Sequence, residues 1–283
     1  GSLYRGSKPV MWSPVEKTAL AEAEIEYKNI LSKSIYVPFK IIKSEDKELI
    51  DNSLVIWTTT PWTIPGNQAV AFGENITYVI IELNSSELDT TSNKKLIVAK
   101  SMLEKVVSFC NIQKYDIIRE FKGSTLQGTK AGHPLCKKGY TEEIPLLNGD
   151  FVDESEGTGF VHIAPSYGED DFYLAKLNNI EIKDIVHDNG VYKENTPIFA
   201  GVHVFKADEY VIESLKNENR LIGVRDYEHS YPHSWRSKKP VIYRTTPQWF
   251  ISMDKNKLRE KALRGIESTK WIPTSSKNRI KKM

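Results

Sequence analysis

The sequence predicts an α+β protein built on a barrel-like, strongly bent β-sheet with a few inserted helices. Three observations lead there. Short runs rich in Val, Ile, Thr and Tyr recur along the first 165 residues, punctuated by Pro, Gly and Asn turns. Helical periodicity is confined to a few segments, and these do not alternate regularly with the strands, which argues against a doubly wound sheet. No internal repeat is present, so a solenoid or propeller is excluded.

The elements follow in order. Ala21, Ala23, Ile25 and Tyr27 alternate with Glu22, Glu24 and Glu26, so this stretch reads as a strand despite its helix-forming composition. Its expected partner is SIYVPFKII, residues 34–42, where Pro38 implies an edge or a bulge. LVIWTTT, NQAVAF and TYVIIEL read as three more strands joined by turns, and KKLIVAK as another. SMLEKVVSF reads as a short helix with Ser101 as N-cap, and YDIIREFKG again as a strand. NSSELDTTSNKK, residues 84–95, is a polar loop. GTGFVHIAP is a strand opened by glycines and closed by Pro165; GEDDFYLAKLNN is a helix with acids in its first turn. ADEYVIESLKNENRLI is a helix with Val211, Leu215 and, beyond it, Leu221 on an apolar stripe. PVIYRTTPQWFISM is extended, and DKNKLREKALRGIEST is a basic helix capped by Asp254.

The character of the chain changes after Ile222. The expected organisation is a lead-in over residues 1–50, a core over 51–222, and a return segment with a basic C-terminal helix over 223–283. The 283 residues suffice for a large core, and 40% hydrophobic with 27% charged residues is the balance of a soluble globular protein. No apolar run approaches the roughly 18 residues of a membrane span. Gly1-Ser2 reads as an expression remnant, and no secretory leader is visible. Cys110 and Cys136 lie far apart in no Cys-x-x-Cys, which fits a reducing cytoplasm and argues against a disulfide framework or a zinc site. Charge is unevenly placed: ten Lys and Arg against Glu260 and Glu267 from Lys255 onward make that end +8 and, with a net +2, leave the remainder −6. A basic end on an acidic body suits a polyanionic partner, or simply a solvated helix face.

Two clusters could carry chemistry. In VIWTTTPWTIPGNQAVAF, Thr58, Thr59 and Thr60 stand between Trp57 and Trp62 and are stopped by Pro61, which leaves three hydroxyls at a strand end with no ladder to join. In GTGFVHIAPSYGEDDF, Phe160, His162 and Ala164 share one strand face and Val161 and Ile163 the other, so the apolar pair can face the core with His162 opposite. Asp170 and Asp171, at the start of the next helix, can return near His162 to complete a polar pocket. Each group also has a plainer role. A lone strand histidine is more often merely hydrogen-bonded, acids at a helix start complement its dipole, and threonine favours strands. No serine nucleophile elbow, phosphate loop or metal constellation is present.

WTTTPWTIPGNQAV followed about a hundred residues later by GTGFVHIAPSYGEDD closely resembles the editing domain, the connective-peptide insertion, of bacterial-type isoleucyl-tRNA synthetases of class I. YRGSKPVMWSPVEKTALAEAEIEY resembles the path into that insertion and SYPHSWRSKKPVIYRTTPQWFISMD the return toward the catalytic domain, so the likeness covers almost the whole chain. Valyl and leucyl relatives usually show Thr-Thr-Arg-Pro where this chain has Thr-Thr-Thr-Pro-Trp. The family's His-x-Gly-His and Lys-Met-Ser-Lys-Ser nucleotide signatures are absent, and RIKKM is not the second of them. The resemblance therefore implies hydrolysis of valyl-tRNA(Ile), with valyl-adenylate as a second substrate, and no amino-acid activation by this chain. In the resemblance, Asp171 matches the essential aspartate that pairs with the substrate ammonium, and His162 the histidine that limits the side-chain pocket. Thr58, Thr59 and Thr60 match hydroxyls that contact the amino acid and terminal adenosine and order the attacking water. Trp62 is expected at the pocket wall, and Asn67 either holds the loop or serves a turn. The resemblance implies water as the nucleophile. Some relatives carry Cys-x-x-Cys where this chain has Ser234 and Ser237, so no metal is expected, and no cofactor for this chain; ATP and Mg belong to the parent synthetase. The second Thr-Thr-Pro, Thr245–Pro247, is assigned no editing role. Implied partners are the tRNA(Ile) 3′ acceptor end, with its valine and adenosine, and the rest of the synthetase. Two other readings stay open: a non-catalytic module that docks the acceptor end, and a valyl- or leucyl-type editing domain.

Overall fold

The computed structural model describes residues 1–84, 94–141 and 143–282. The strands are β1 (Leu3–Ser13), β2 (Thr18–Ala19), β3 (Ile25–Lys43), β4 (Ser53–Thr58), β5 (Ala69–Phe72), β6 (Thr77–Leu83), β7 (Lys95–Ala99), β8 (Tyr115–Lys122), β9 (Lys130–Ala131), β10 (Ile144–Asn148), β11 (Phe160–Ile163), β12 (Gly223–Ser234) and β13 (Ile242–Ile251). The helices are α1 (Leu103–Phe109), α2 (Glu169–Leu177), α3 (Val204–Asn217), α4 (Leu258–Ser268) and α5 (Ser276–Lys282). The fold is α+β, as the sequence predicts. The main sheet runs β11-β5-β10-β9-β3-β4-β7-β6-β8 with β12 added on β3, and its two ends do not pair, so it is an open sheet and not a closed barrel.

Two compact units are present. One comprises residues 9–245. Its core is formed by the apolar faces of β3 to β7 with α1 and α3; Ile35, Val37, Phe39, Leu54, Ile56, Ile80 and Ile97 are fully or almost fully buried. The other unit joins residues 1–8 with 246–283 and carries α4 and α5. Among the described residues, no helix is long and apolar enough to cross a membrane.

Several elements differ from the sequence reading. The alternating Glu run is not a separate strand: Glu22–Glu24 is a 3-10 turn, and Ile25–Lys43 is a single strand of 19 residues that contains both expected partners. It uses different neighbours along its length, β12 over residues 25–36 and β9 at Ile41 and Lys43. Pro38 falls between them on that flank while Val55 of β4 faces it on the other, so its missing N–H interrupts no ladder. Ser101 is not a helix N-cap; it lies in a 3-10 turn before α1, and its hydroxyl donates to Glu154. Asp254 likewise makes no side-chain cap to the turn that precedes α4. Helix α3 starts three residues early, with the His203 imidazole accepting from the Phe205 N–H, and Leu221 lies beyond its end. The polar loop expected over residues 84–95 falls, for residues 85–93, outside the described residues.

Serines 234 and 237 surround a carboxylate. Ser234 Oγ donates to Glu16 at 2.9 Å and Ser237 N–H donates to it at 2.9 Å. Burial raises the Glu16 pKa, but the bonds from Ser234, Ser13 and Ser237 outweigh it and lower it overall. Among the described residues, no cluster of three His, Cys, Asp or Glu could hold a metal.

Candidate functional site

The threonine run ends β4, and Pro61 turns the chain into a wholly buried 3-10 segment, Pro61–Gly66. The hydroxyls are linked. Thr58 Oγ1 accepts from Thr60 N–H at 3.1 Å and lies 3.1 Å from Thr60 Oγ1. Thr63 Oγ1 donates to the Thr60 carbonyl at 2.9 Å and lies 2.8 Å from His162 Nε2. On the other side of the ring, Asn67 Nδ2 is 2.8 Å from His162 Nδ1 and 2.8 Å from the Ala69 carbonyl. An amide facing a carbonyl must present its NH2, so Asn67 donates to both, His162 Nδ1 accepts, and Nε2–H donates to Thr63. Burial, and then the nearby His133, lower the His162 pKa to about 3. The imidazole is therefore neutral at pH 7, with no lone pair left for proton abstraction.

The position of His162 differs from the strand-face reading. β11 is an edge strand against β5, but Phe160, His162 and Ala164 on one face are all buried, as is Ile163 on the other. Val161, expected to face the core, is the half-buried member. The polar ring tolerates burial because both nitrogens are satisfied. Gly159, just ahead of the strand, has φ +80°, and a Cβ there would collide with Ala99, so the glycine of GTGF is required by conformation and by space.

Asp171 sits in the first turn of α2, half-buried, and its Oδ2 accepts from the Ala164 N–H at 2.7 Å. This bond brings the helix back onto the strand end two residues past His162, as the spacing suggested. Burial, aided by Asp170, raises its pKa to about 6 against the lowering effect of the Ala164 bond. Asp170 itself is exposed in the first turn of α2.

The turn and its flanks open onto three cavities, one of about 790 Å³ beside Pro65, Gly66 and Asn67 and two beside the threonines. Of the latter two, one, of about 540 Å³, is lined by Thr59, Thr60, Trp62, Phe205, Asp208 and Tyr231 among others. The second, of about 350 Å³, is lined by Trp57, Thr58 and Thr59 together with Gly157, Gly159 and Val161. Thr59 borders both, and its hydroxyl has no protein partner among the described residues. The structure thus brings Thr58, Thr60, Asn67 and His162 into one network and puts Trp62 on a cavity wall. Asp171 belongs to the neighbouring strand end and lines none of the three cavities.

Five further residues escape the sequence reading. Thr63 links the threonines to His162. Asp208 Oδ1 accepts from the Trp62 N–H at 3.0 Å, and the Tyr192 hydroxyl donates to the Trp62 carbonyl. His133 Nδ1 accepts from the Leu135 N–H, so its Nε2–H donates to the Ile64 carbonyl at 3.1 Å. Tyr231, on β12, completes the 540 Å³ cavity. Thr63 lies inside the quoted threonine motif and Tyr231 inside the quoted SYPHSW segment, so both could have been singled out; His133, Tyr192 and Asp208 come from segments with no motif of their own.

The whole chain, residues 1–283, matches the family model for tRNA synthetases class I (I, L, M and V). It is 48% identical over its full length to an isoleucine–tRNA ligase of Pelagibacter ubique and 45% identical to one of Gluconobacter oxydans. It spans 31% of the length of each of these relatives. Among solved structures it is similar to "The crystal structure of GlLeuRS-CP1", with a TM-score of 0.53 at 17% identity, covering 68% of this chain and 98% of that one.

Proposed function

The chain belongs to the class I tRNA synthetases of the I, L, M and V group, and from that premise we propose that it is an isoleucyl-type editing domain that hydrolyses valyl-tRNA(Ile). The observation that carries the reading is the locked hydroxyl turn Thr58–Thr63, held by a neutral His162 and opening onto a cavity lined by Asp208, with Asp171 at the neighbouring strand end. The selectivity problem of this family is a worked example in general accounts of specificity: a pocket that fits isoleucine rejects valine only weakly, since one methylene is worth about 1–3 kcal/mol, so a second, smaller site removes the error.

In this reading the ionised Asp171 holds the α-ammonium group and so fixes the ester for attack. Thr58, Thr59 and Thr60 contact the amino acid and the terminal adenosine and orient the attacking water. With both nitrogens of His162 engaged, water attacks without a histidine base, and the neighbouring ribose hydroxyl of the substrate assists. His162 and Thr63 stiffen the wall that excludes the extra methylene of isoleucine, and Trp62 forms another part of it. Valyl-adenylate is a second substrate. The cytoplasm is the setting and the remainder of a synthetase the covalent partner. ATP and Mg serve only that remainder.

The test is deacylation of valyl-tRNA(Ile) by the chain, with isoleucyl-tRNA(Ile) as the control. Valyl ester is expected to disappear well above the uncatalysed rate and isoleucyl ester to persist. Binding of tRNA without cleavage of either ester would establish the docking-module reading instead, and preferential cleavage of threonyl esters a valyl-type one.

The basic end supplies tRNA affinity. Part of its charge is internally paired, Glu267 with Lys277 and Lys281 and Glu260 with Arg264, but the positive excess remains. Exposed pairs of this kind add little stability. Binding of uncharged tRNA is expected to weaken at least about tenfold between 50 and 200 mM salt through counterion release. Removal of residues 255–283 is expected to flatten that dependence. An unchanged salt slope on truncation would show that the tail makes no contact.

A further inference from the structure

Helix α3 packs against the 3-10 turn Pro61–Gly66, and the contact between them is unusually specific. Trp62 is the second residue of that turn, where a backbone N–H has no partner within its own helix. Asp208, one turn into α3, supplies the acceptor at 3.0 Å. The opposite side of the same residue is also held, since the buried Tyr192 hydroxyl donates to the Trp62 carbonyl. The Trp62 ring is fixed as well, edge-on to Tyr167 with centroids 5.2 Å apart, and that Tyr167 ring lies close enough to Gly66 that a Cβ there would stand 2.8 Å from it. Trp62 is thereby clamped at N–H, carbonyl and ring by three residues from distant parts of the chain. Thr60 lies two residues before it and Thr63 one after, so their hydroxyl directions depend on this clamp.

We propose that Asp208 is a positioning residue of the candidate site, acting through the Trp62 N–H to set the course of the turn and with it the placement of Thr59 and Thr60 on the wall of the 540 Å³ cavity that Asp208 also lines. The proposal rests on the hydrolase reading above for its activity readout. No other protein bond to Asp208 is present among the described residues, so its carboxylate serves this one contact and does not hold α3 elsewhere. A residue needed only for folding would show its effect in stability. A residue that aims the turn shows it in the chemical step, and an uncharged acceptor of the same shape should replace it.

Three proteins decide the matter: the wild type, Asp208→Asn, whose side-chain carbonyl can still accept from Trp62, and Asp208→Ala, which cannot. Asp208→Ala is expected to lower kcat for valyl-tRNA deacylation by about 10-fold to 100-fold with KM within about threefold, and Asp208→Asn to restore kcat to within about threefold of wild type. In hydrogen exchange, the amides of Trp62, Thr63, Ile64 and Gly66 are expected to exchange faster in Asp208→Ala alone. Wild-type kcat in Asp208→Ala overturns the proposal. So does an Asp208→Asn variant as impaired as Asp208→Ala, because the carboxylate charge would then act directly. If the wild type cleaves no ester, the hydrolase reading fails and the exchange measurement decides positioning by itself: faster exchange in Asp208→Ala alone supports it, and equal exchange across the three proteins overturns it.

Discussion

Replacing Asp171 by Asn is expected to abolish most valyl-tRNA hydrolysis while leaving the chain folded and at least as heat-stable as the wild type. The asparagine carbonyl can still accept the Ala164 N–H, so the junction between β11 and α2 survives. What disappears is the negative charge that the proposed mechanism offers to the substrate ammonium. Charge-assisted bonds are roughly twice as strong as neutral ones, and a loss of about 1.4–2.8 kcal/mol in the transition state is about 10-fold to 100-fold in rate. The stability expectation follows from linkage. Burial raises the Asp171 pKa from 3.8 to about 6, so the folded state holds its proton more tightly than the unfolded state does. This group's contribution to stability is complete below the ordinary carboxylate range and is lost as pH rises through about 6. At neutral pH the ionised carboxylate therefore works against folding, and a neutral amide relieves that. Wild-type hydrolysis should move in the opposite sense, falling as pH drops through about 6. Asp170→Asn is the control, since Asp170 is exposed and about 100° around the helix; it should retain activity. An inactive Asp170→Asn beside an active Asp171→Asn would assign the ammonium to the other carboxylate.

His162→Ala is expected to erase the discrimination against isoleucine. The ring is buried and pressed between Asn67 and Thr63. Its removal leaves space behind Thr63 and frees the Thr63 hydroxyl, which together soften the wall of the site. Since one methylene is worth about 10-fold to 200-fold in discrimination, hydrolysis of isoleucyl-tRNA should rise by a comparable factor and approach that of valyl-tRNA. The variant should also be less stable by about 2–5 kcal/mol, from the cavity and from two polar groups that lose their partner; thermal melting measures that cost. If valyl-tRNA hydrolysis falls without any gain on isoleucyl-tRNA, His162 serves to hold Thr63 and not to set the size limit. The low pKa, about 3, has its own consequence. Because the folded state resists protonation, this histidine's contribution is fully present above the usual imidazole range and declines as pH falls from there toward 3.

The sequence by itself determined the fold class and most of the strands, because alternation of Val, Ile and Tyr with polar residues is a local signal that any half-buried sheet imposes. It also located both clusters, since a proline after three threonines and glycines around a strand leave few conformations open. Where it failed, the deciding forces were not local. β12 is polar and contains Pro232, yet it pairs with twelve residues of β3 because that edge of the sheet is otherwise bare. The alternating Glu22–Tyr27 run became a turn and the start of a longer strand for the same reason: a long-range partner outweighs a short pattern. His162 shows the limit for the site. Its residue type and strand face are local facts, but its burial, its tautomer and its neutral state follow from Asn67 and Thr63, which lie 95 and 99 residues away. The clamps on Trp62, from Asp208 and Tyr192, are 146 and 130 residues distant. The sequence names the candidate groups. Only the tertiary structure sets their protonation, orientation and neighbours, because burial and hydrogen bonding are properties of the assembled fold and not of any segment.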